Sequence, residues 1–128
     1  MTVVLDASAL LALLNDEPGC ERVAEALDDA VIGVVNLAEV AAGLIAKGKS
    51  EVQARAALRA LACDVVGADE ELALDAGFLR RMTQSKGLSL ADRFCLALAR
   101  RLGAAALTAD RNWTSVADAV GVEVILIR

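Results

Sequence analysis

A short run of apolar residues, Val3-Val4-Leu5, stops on Asp6, and a helix-forming stretch begins two residues later. That succession constrains the fold more than any other feature of the chain. An unbroken apolar, β-branched run marks a strand buried on both faces, as in a parallel sheet covered by helices. Similar runs recur at 30–35, 63–67, 104–108 and 122–127, separated by stretches with helical periodicity at 8–15, 21–29, 36–47, 51–62, 69–85 and 90–102. Strands alternating with helices imply an α/β fold, a three-layer α/β/α sandwich with a mainly parallel sheet of about five strands. With 128 residues the chain is expected to be one domain spanning 1–128. In such sheets the carboxyl ends of the strands form the crevice where ligands bind, and Asp6 is expected there.

Composition removes several classes of function. The only aromatics are Trp113, Phe78 and Phe94, too few for a base-stacking surface. Trp113 reads as a core anchor. The absence of His rules out Ser-His-Asp and Cys-His nucleophilic systems, the usual zinc sites and imidazole acid–base catalysis. Cys20, Cys63 and Cys95 are odd in number and far apart, which reads as reduced, inert core thiols. A net charge of −5 argues against non-specific electrostatic binding of nucleic acid. It does not exclude a nucleic-acid substrate, because carboxylates loaded with a cation carry the ion's charge too. No apolar run reaches bilayer length and no signal-peptide pattern opens the chain, so the expected location is cytoplasmic, with no membrane contact.

Four carboxylates stand out: Asp6 and Asp110 just beyond apolar strands, and Glu39 and Asp92 early in helices. Each has a local explanation. Asp6 suits a helix cap, Asn36-x-x-Glu39 and Ser89-x-x-Asp92 both resemble capping boxes, and Asp110 suits a turn. Together they say more, since strand C-termini and the following helix N-termini share one edge of a parallel sheet. Helix 36–47 places Leu37, Val40, Ala41, Leu44 and Ile45 on a core stripe. Glu39 then points away from that stripe, beside the small residues Ala42, Gly43 and Ala46, leaving room for a partner or ligand.

Clustered carboxylates repel one another unless a cation intervenes. Oxygen ligands without His or a Cys pair select a hard cation, Mg²⁺ or Mn²⁺. Such an ion suits phosphoester hydrolysis, which it can support without a protein nucleophile.

Val-Val-Leu-Asp6-Ala-Ser8, Asn36-Leu-Ala-Glu39-Val, Leu-Ser-Leu-Ala-Asp92-Arg-Phe-Cys-Leu-Ala-Leu-Ala and Leu-Thr108-Ala-Asp110-Arg-Asn-Trp113 resemble the four blocks of PIN-domain ribonucleases, in particular VapC-type toxins of bacterial toxin–antitoxin pairs. The resemblance runs from Thr2 to Arg128. It implies a Mg²⁺- or Mn²⁺-dependent endoribonuclease, a homodimer acting on RNA and held inactive by a small cognate antitoxin. Asp6, Glu39, Asp92 and Asp110 would be the catalytic, metal-binding acids, and Ser8 and Thr108 the hydroxyls that orient them. Asn112 falls where many family members carry a further acid. Arg111, beside Asp110, and Arg93 are candidate phosphate contacts, although arginines on the 90–102 helix, including Arg100 and Arg101, also read as a solvated face.

Two other classes compete. One is a catalytically silent interaction module on the same fold, which the presence of all four acids disfavours. The other is a receiver-like phosphoacceptor, which needs a lone Asp ending a central strand and a Lys ending a neighbour. The 63–67 strand ends on Gly67, and no strand ends on Lys. An Asp-x-Asp phosphatase is disfavoured by Ser8 in the second position.

Overall fold

The computed structural model describes residues 1–128. Five short strands, β1 (Val3–Leu5), β2 (Ala30–Gly33), β3 (Asp64–Val66), β4 (Ala105–Thr108) and β5 (Val124–Leu126), form one sheet in the order β3-β2-β1-β4-β5. Every neighbouring pair is parallel. Successive side chains face opposite layers: Val4 and Ala106 join one core cluster, Leu5, Ile32 and Leu107 the other. Val4 and Leu5 are both 0% exposed, and burial of each contributes about 1.5–3 kcal/mol. The three-layer parallel sandwich expected from the sequence is the architecture found. Its strand order differs from the 2-1-3-4-5 order of receiver-type domains.

Helices α1 (Ala7–Leu14), α2 (Cys20–Ala26), α3 (Val34–Ala46) and α4 (Glu51–Leu61) contribute to the layer that holds Leu5. On the other face lie α5 (Glu70–Phe78), α7 (Leu90–Leu102) and the short α8 (Ala117–Val120), with α6 (Arg80–Thr83) following α5. Trp113 is fully buried in that second cluster. Helix α7 is buried all round at its middle, Cys95 through Ala99, because it packs on β1, β2 and β4 and also against α3 and α5. Its start is fixed by Ser89 and Asp92 in a capping box, its end by Gly103 in the left-handed conformation. The chain builds β1, β2 and β3 outward on one side, then crosses to β4 and β5. The crevice therefore lies at the carboxyl ends of β1 and β4, where the strand order reverses.

Several local expectations are corrected. Strand β2 stops at Gly33 rather than 35, and Val34 and Val35 open α3 in spite of their β-branching, tertiary packing having overridden propensity. Asn36 is therefore inside the helix and forms no capping box; Gly33 is the N-cap. The buried stripe of α3 is Asn36, Val40 and Leu44, while Ile45 is 49% exposed. The small-residue face beside Glu39 is partly filled from within the chain: a Cβ on Gly43 would stand 2.9 Å from Leu11 Cδ1 of α1. The helix expected over 69–85 breaks at Leu79 into α5 and α6. There Thr83 Oγ1 donates to the Leu79 carbonyl (2.9 Å) and accepts from Arg93 Nε (3.0 Å). Of the three cysteines only Cys95 is a core thiol, Cys20 and Cys63 being half-buried.

Gly19 precedes α2 with φ of +92°, and a Cβ there would sit 2.5 Å from the Ile127 carbonyl oxygen, a backbone atom just past β5. Gly48 has a similar φ of +91° with nothing within 4 Å. Gly19→Ala is accordingly expected to cost about 1–3 kcal/mol in urea unfolding, and more than Gly48→Ala, which meets only the backbone strain. Equal losses would show that the approach to Ile127 carries no weight.

Candidate functional site

Asp6 is placed by β1. Its N–H donates to the Leu107 carbonyl (2.9 Å), extending the β1–β4 pairing by one residue, and the residue is 5% exposed. It occupies the N-cap position of α1, yet its carboxylate makes no capping bond. Instead Oδ2 accepts from Ser8 Oγ (2.7 Å) and Thr108 Oγ1 (2.8 Å). Each hydroxyl is in turn an acceptor, Ser8 from the Ala109 amide (2.9 Å) and Thr108 from the Asp110 amide (3.0 Å). A hydroxyl has one hydrogen, so with both hydrogens given to Asp6 the 3.2 Å approach of Ser8 to Thr108 is a contact between oxygens.

The other three acids are also held through one oxygen. Glu39 Oε1 accepts from Asn36 Nδ2 (3.2 Å), one turn earlier on α3. Asp92 Oδ2 accepts from the Ser89 amide (2.8 Å) in the capping box of α7. Asp110 Oδ1 accepts from the Asn112 amide (2.9 Å) and caps the 3₁₀ helix over Arg111–Ser115. The second oxygen of Glu39, Asp92 and Asp110 takes no part in these bonds. For Asp92 capping and a place in the crevice coexist, because the cap occupies only one oxygen.

The four carboxylates lie in one field. Burial raises the proton affinity of Asp6 from its ordinary value, with the Ser8 and Thr108 hydroxyls opposing it. Burial likewise raises Glu39, against the pull of Asn36, and the charges of Asp6 and Asp92 raise it further. Asp92 is raised by burial, and by Asp6 and Asp110. Beneath them Cys95, fully buried on α7, has its thiol pushed well up by burial and then by Asp6, Asp92 and Glu39. No three ligand-type side chains stand close enough together to form a ready-made metal cage.

The remaining candidates are placed as follows. Asn112 contributes its backbone amide to Asp110, and its residue is exposed. Arg111 is exposed and in no ion pair. Arg93 spends Nε on Thr83 and Nη2 on the Leu88 carbonyl (3.2 Å), so it braces the turn before α7. Arg101 is tied to Asp69, the N-cap of α5, by two bonds of 3.0 Å. Ser8 also lines an open cleft of about 520 Å³ between α1 and α3, with Asn15, Gly43, Lys47 and Arg128 along it. The functional residue that the sequence reading misses is Asn36; its i, i+4, i+8 spacing with Val40 and Leu44 is the signal that could have found it.

Acids at the switch point of a parallel sheet define the class: an α/β domain with an all-oxygen, acidic crevice. Residues 3–119 match the family model of the PIN domain. The chain belongs to the PIN-domain family. Similar solved structures include a toxin–antitoxin complex from Klebsiella pneumoniae, with 18% identity, TM-score 0.75, and 99% of this chain and 98% of that one covered. VapBC2 from Rickettsia felis bound to a DNA fragment from its promoter has 16% identity and TM-score 0.76, with 98% of each chain covered. VapC20 of Mycobacterium tuberculosis, a Sarcin-Ricin loop cleaving toxin, has 17% identity and TM-score 0.73, covering 89% of this chain and 94% of that one. Among curated protein sequences nothing matches. No helix is long and apolar enough to cross a membrane.

Two outcomes follow for the metal-free protein. Thr108→Val removes a donor to Asp6 and the acceptor of the Asp110 amide, both in a buried setting. A loss of about 1–3 kcal/mol is expected in urea unfolding; a change under about 0.5 kcal/mol, the size of an ordinary surface substitution, would deny the network its structural role. Between the usual values, 3.8 for Asp and 4.5 for Glu, and the raised ones, the folded chain holds more protons than the unfolded chain. These acids therefore make stability fall as pH rises through that interval. Asp69, lowered by Arg101, acts in the opposite sense and is common to wild type and variant. The melting temperature of Glu39→Gln should thus gain on wild type as pH rises from about 4 toward 7 in chelator, and a pH-independent difference would contradict the raised proton affinity of Glu39.

Proposed function

We propose that the chain is a divalent-metal-dependent endoribonuclease, using Mg²⁺ or Mn²⁺, and the toxin of a toxin–antitoxin pair. The observation that carries this reading is that Asp6, Glu39, Asp92 and Asp110 are each held through one oxygen while sharing one field at the sheet's switch point. Burying like charges together is unfavourable without a cation. The donor set is all oxygen, which suits a hard ion. When bound, such an ion supplies charge for a phosphoryl oxygen and for the leaving oxygen.

The chain's own residues have distinct parts in this reading. Asp6, oriented by Ser8 and Thr108, and Asp92, oriented by its cap, are the ion's principal ligands, with Glu39 and Asp110 completing its surroundings. Glu39, half-buried beside them and with one oxygen free of the Asn36 bond, is placed to take the proton of an attacking water. Arg111, exposed and unpaired beside Asp110, is the phosphate contact. Arg93, already committed to Thr83 and Leu88, acts on the fold instead. The toxin–antitoxin and VapBC complexes among the similar structures support a cognate antitoxin as partner, and the reading includes a homodimer.

The test is cleavage of RNA by the purified, antitoxin-free chain. Cleavage should require Mg²⁺ or Mn²⁺, stop with chelator, and fall by more than about 100-fold in Asp6→Asn and in Asp92→Asn, beyond the loss typical of outer-shell partners. Metal-independent cleavage, or wild-type rates in both variants, would overturn the reading. An intact fold that neither binds divalent ions nor cuts RNA would favour the silent interaction module.

A further inference from the structure

Asn36 is the polar member of the buried stripe of α3, 1% exposed in line with Val40 and Leu44. Its amide nitrogen has two hydrogens, and both are used: Nδ2 donates to Glu39 Oε1 (3.2 Å) and to the carbonyl of Ala91 (3.1 Å). Its Oδ1 is buried with no partner. The orientation of the amide is determined, because turning it over would set Oδ1 against two oxygen acceptors. A buried amide with an orphaned oxygen is unfavourable, and such groups in a native fold ask for an explanation. Packing does not provide one, since an apolar side chain would suit this stripe better.

We infer that Asn36 is a positioning residue for the acid crevice, tying Glu39 to the first turn of the helix that carries Asp92. Ala91 immediately precedes Asp92 in α7, so one amide nitrogen is bonded to the Glu39 carboxylate and to the backbone beside the second acid. Without this bridge, α3 and α7 still pack together, but nothing else in the structure bonds the Glu39 carboxylate. A long side chain on a half-exposed helix face then has several rotamers to visit. The orphaned Oδ1 is a consequence: the amide faces its donors toward the crevice and leaves its acceptor toward the apolar side, near Gly33 and Leu98.

The inference rests on the metal-binding reading of the acids, and its test separates the two. Mn²⁺ binding is followed by calorimetry, and RNA cleavage by kcat and KM, in wild type, Asn36→Leu, Glu39→Gln and the double variant. Asn36→Leu keeps the bulk and should still fold, with a melting temperature equal to or above that of wild type. It is expected to lose about tenfold or more in Mn²⁺ affinity and kcat, with KM for RNA little changed. In the Glu39→Gln background the same substitution should add almost nothing, because its effect passes through that carboxylate. Asn36→Ala, which removes the donor without adding a charge, should show the same loss and serves if the Leu variant is unstable. Equal losses with and without Glu39, or undiminished Mn²⁺ binding by both Asn36 variants, would overturn the positioning role while leaving the metal reading intact. If wild type itself binds no Mn²⁺, the metal reading fails and takes this inference with it.

Discussion

The pairing of β1 with β4 is the constraint on which the crevice depends. Leu5 lies opposite Leu107, and the Asp6 amide continues the ladder onto the Leu107 carbonyl. This register sets Asp6 beside Thr108, so that a hydroxyl from each segment meets one carboxylate oxygen. Side chains alternate along a strand, and a slip of one residue would turn Thr108 to the other face. The same slip would exchange Ala106 and Leu107 between the two core layers, setting an isobutyl group where a methyl is packed. Core packing and site geometry are thus fixed by one register. The apolar strand that buries Val4 and Leu5 is also what aims Asp6.

Against that rigid frame stands an electrostatic load. Three of the four acids have raised proton affinities, and burial is the first cause in each. The fold restrains them with small, local devices: two hydroxyls, one buried amide, one capping box and one turn. None of these neutralises a charge. They orient carboxylates whose repulsion persists, which is the condition under which a cation binds with most gain. The site is therefore carried at a cost in metal-free stability, a conflict between local stability and function of the kind expected where a chain departs from optimal packing rules.

Local signals made part of this legible from the residues. The apolar run before Asp6 and the Ser89–Asp92 spacing before the α7 stripe each depend on neighbours within a few positions, and both are found as expected. What was not legible depends on contacts distant in sequence. Val34 and Val35 read as strand because nothing nearby reveals that Gly33 ends it. With the helix start set at Asn36, that residue reads as a cap, and the stripe is drawn through Leu37, Ala41 and Ile45 beside the buried Val40 and Leu44 while Asn36 is left off it. Leu11 filling the space at Gly43, and Arg101 reaching Asp69 across 32 positions, are likewise invisible to periodicity.

The distribution of cations completes the picture. The chain carries a net charge of −5, and two arginines of α7 that could face a polyanion are committed elsewhere, Arg93 to the preceding turn and Arg101 to α5. Arg111 is left beside the acids, with Lys47 along the cleft that opens at Ser8, while Arg128 is spent on the Pro18 carbonyl and Glu17. A surface of this kind lacks the broad basic footprint that binds nucleic acid non-specifically. On the nuclease reading, capture of a phosphodiester then falls to the ion between the carboxylates and to a few cations at its margin. The acids would serve recognition as well as chemistry, since without the ion they repel the substrate they are placed to cut.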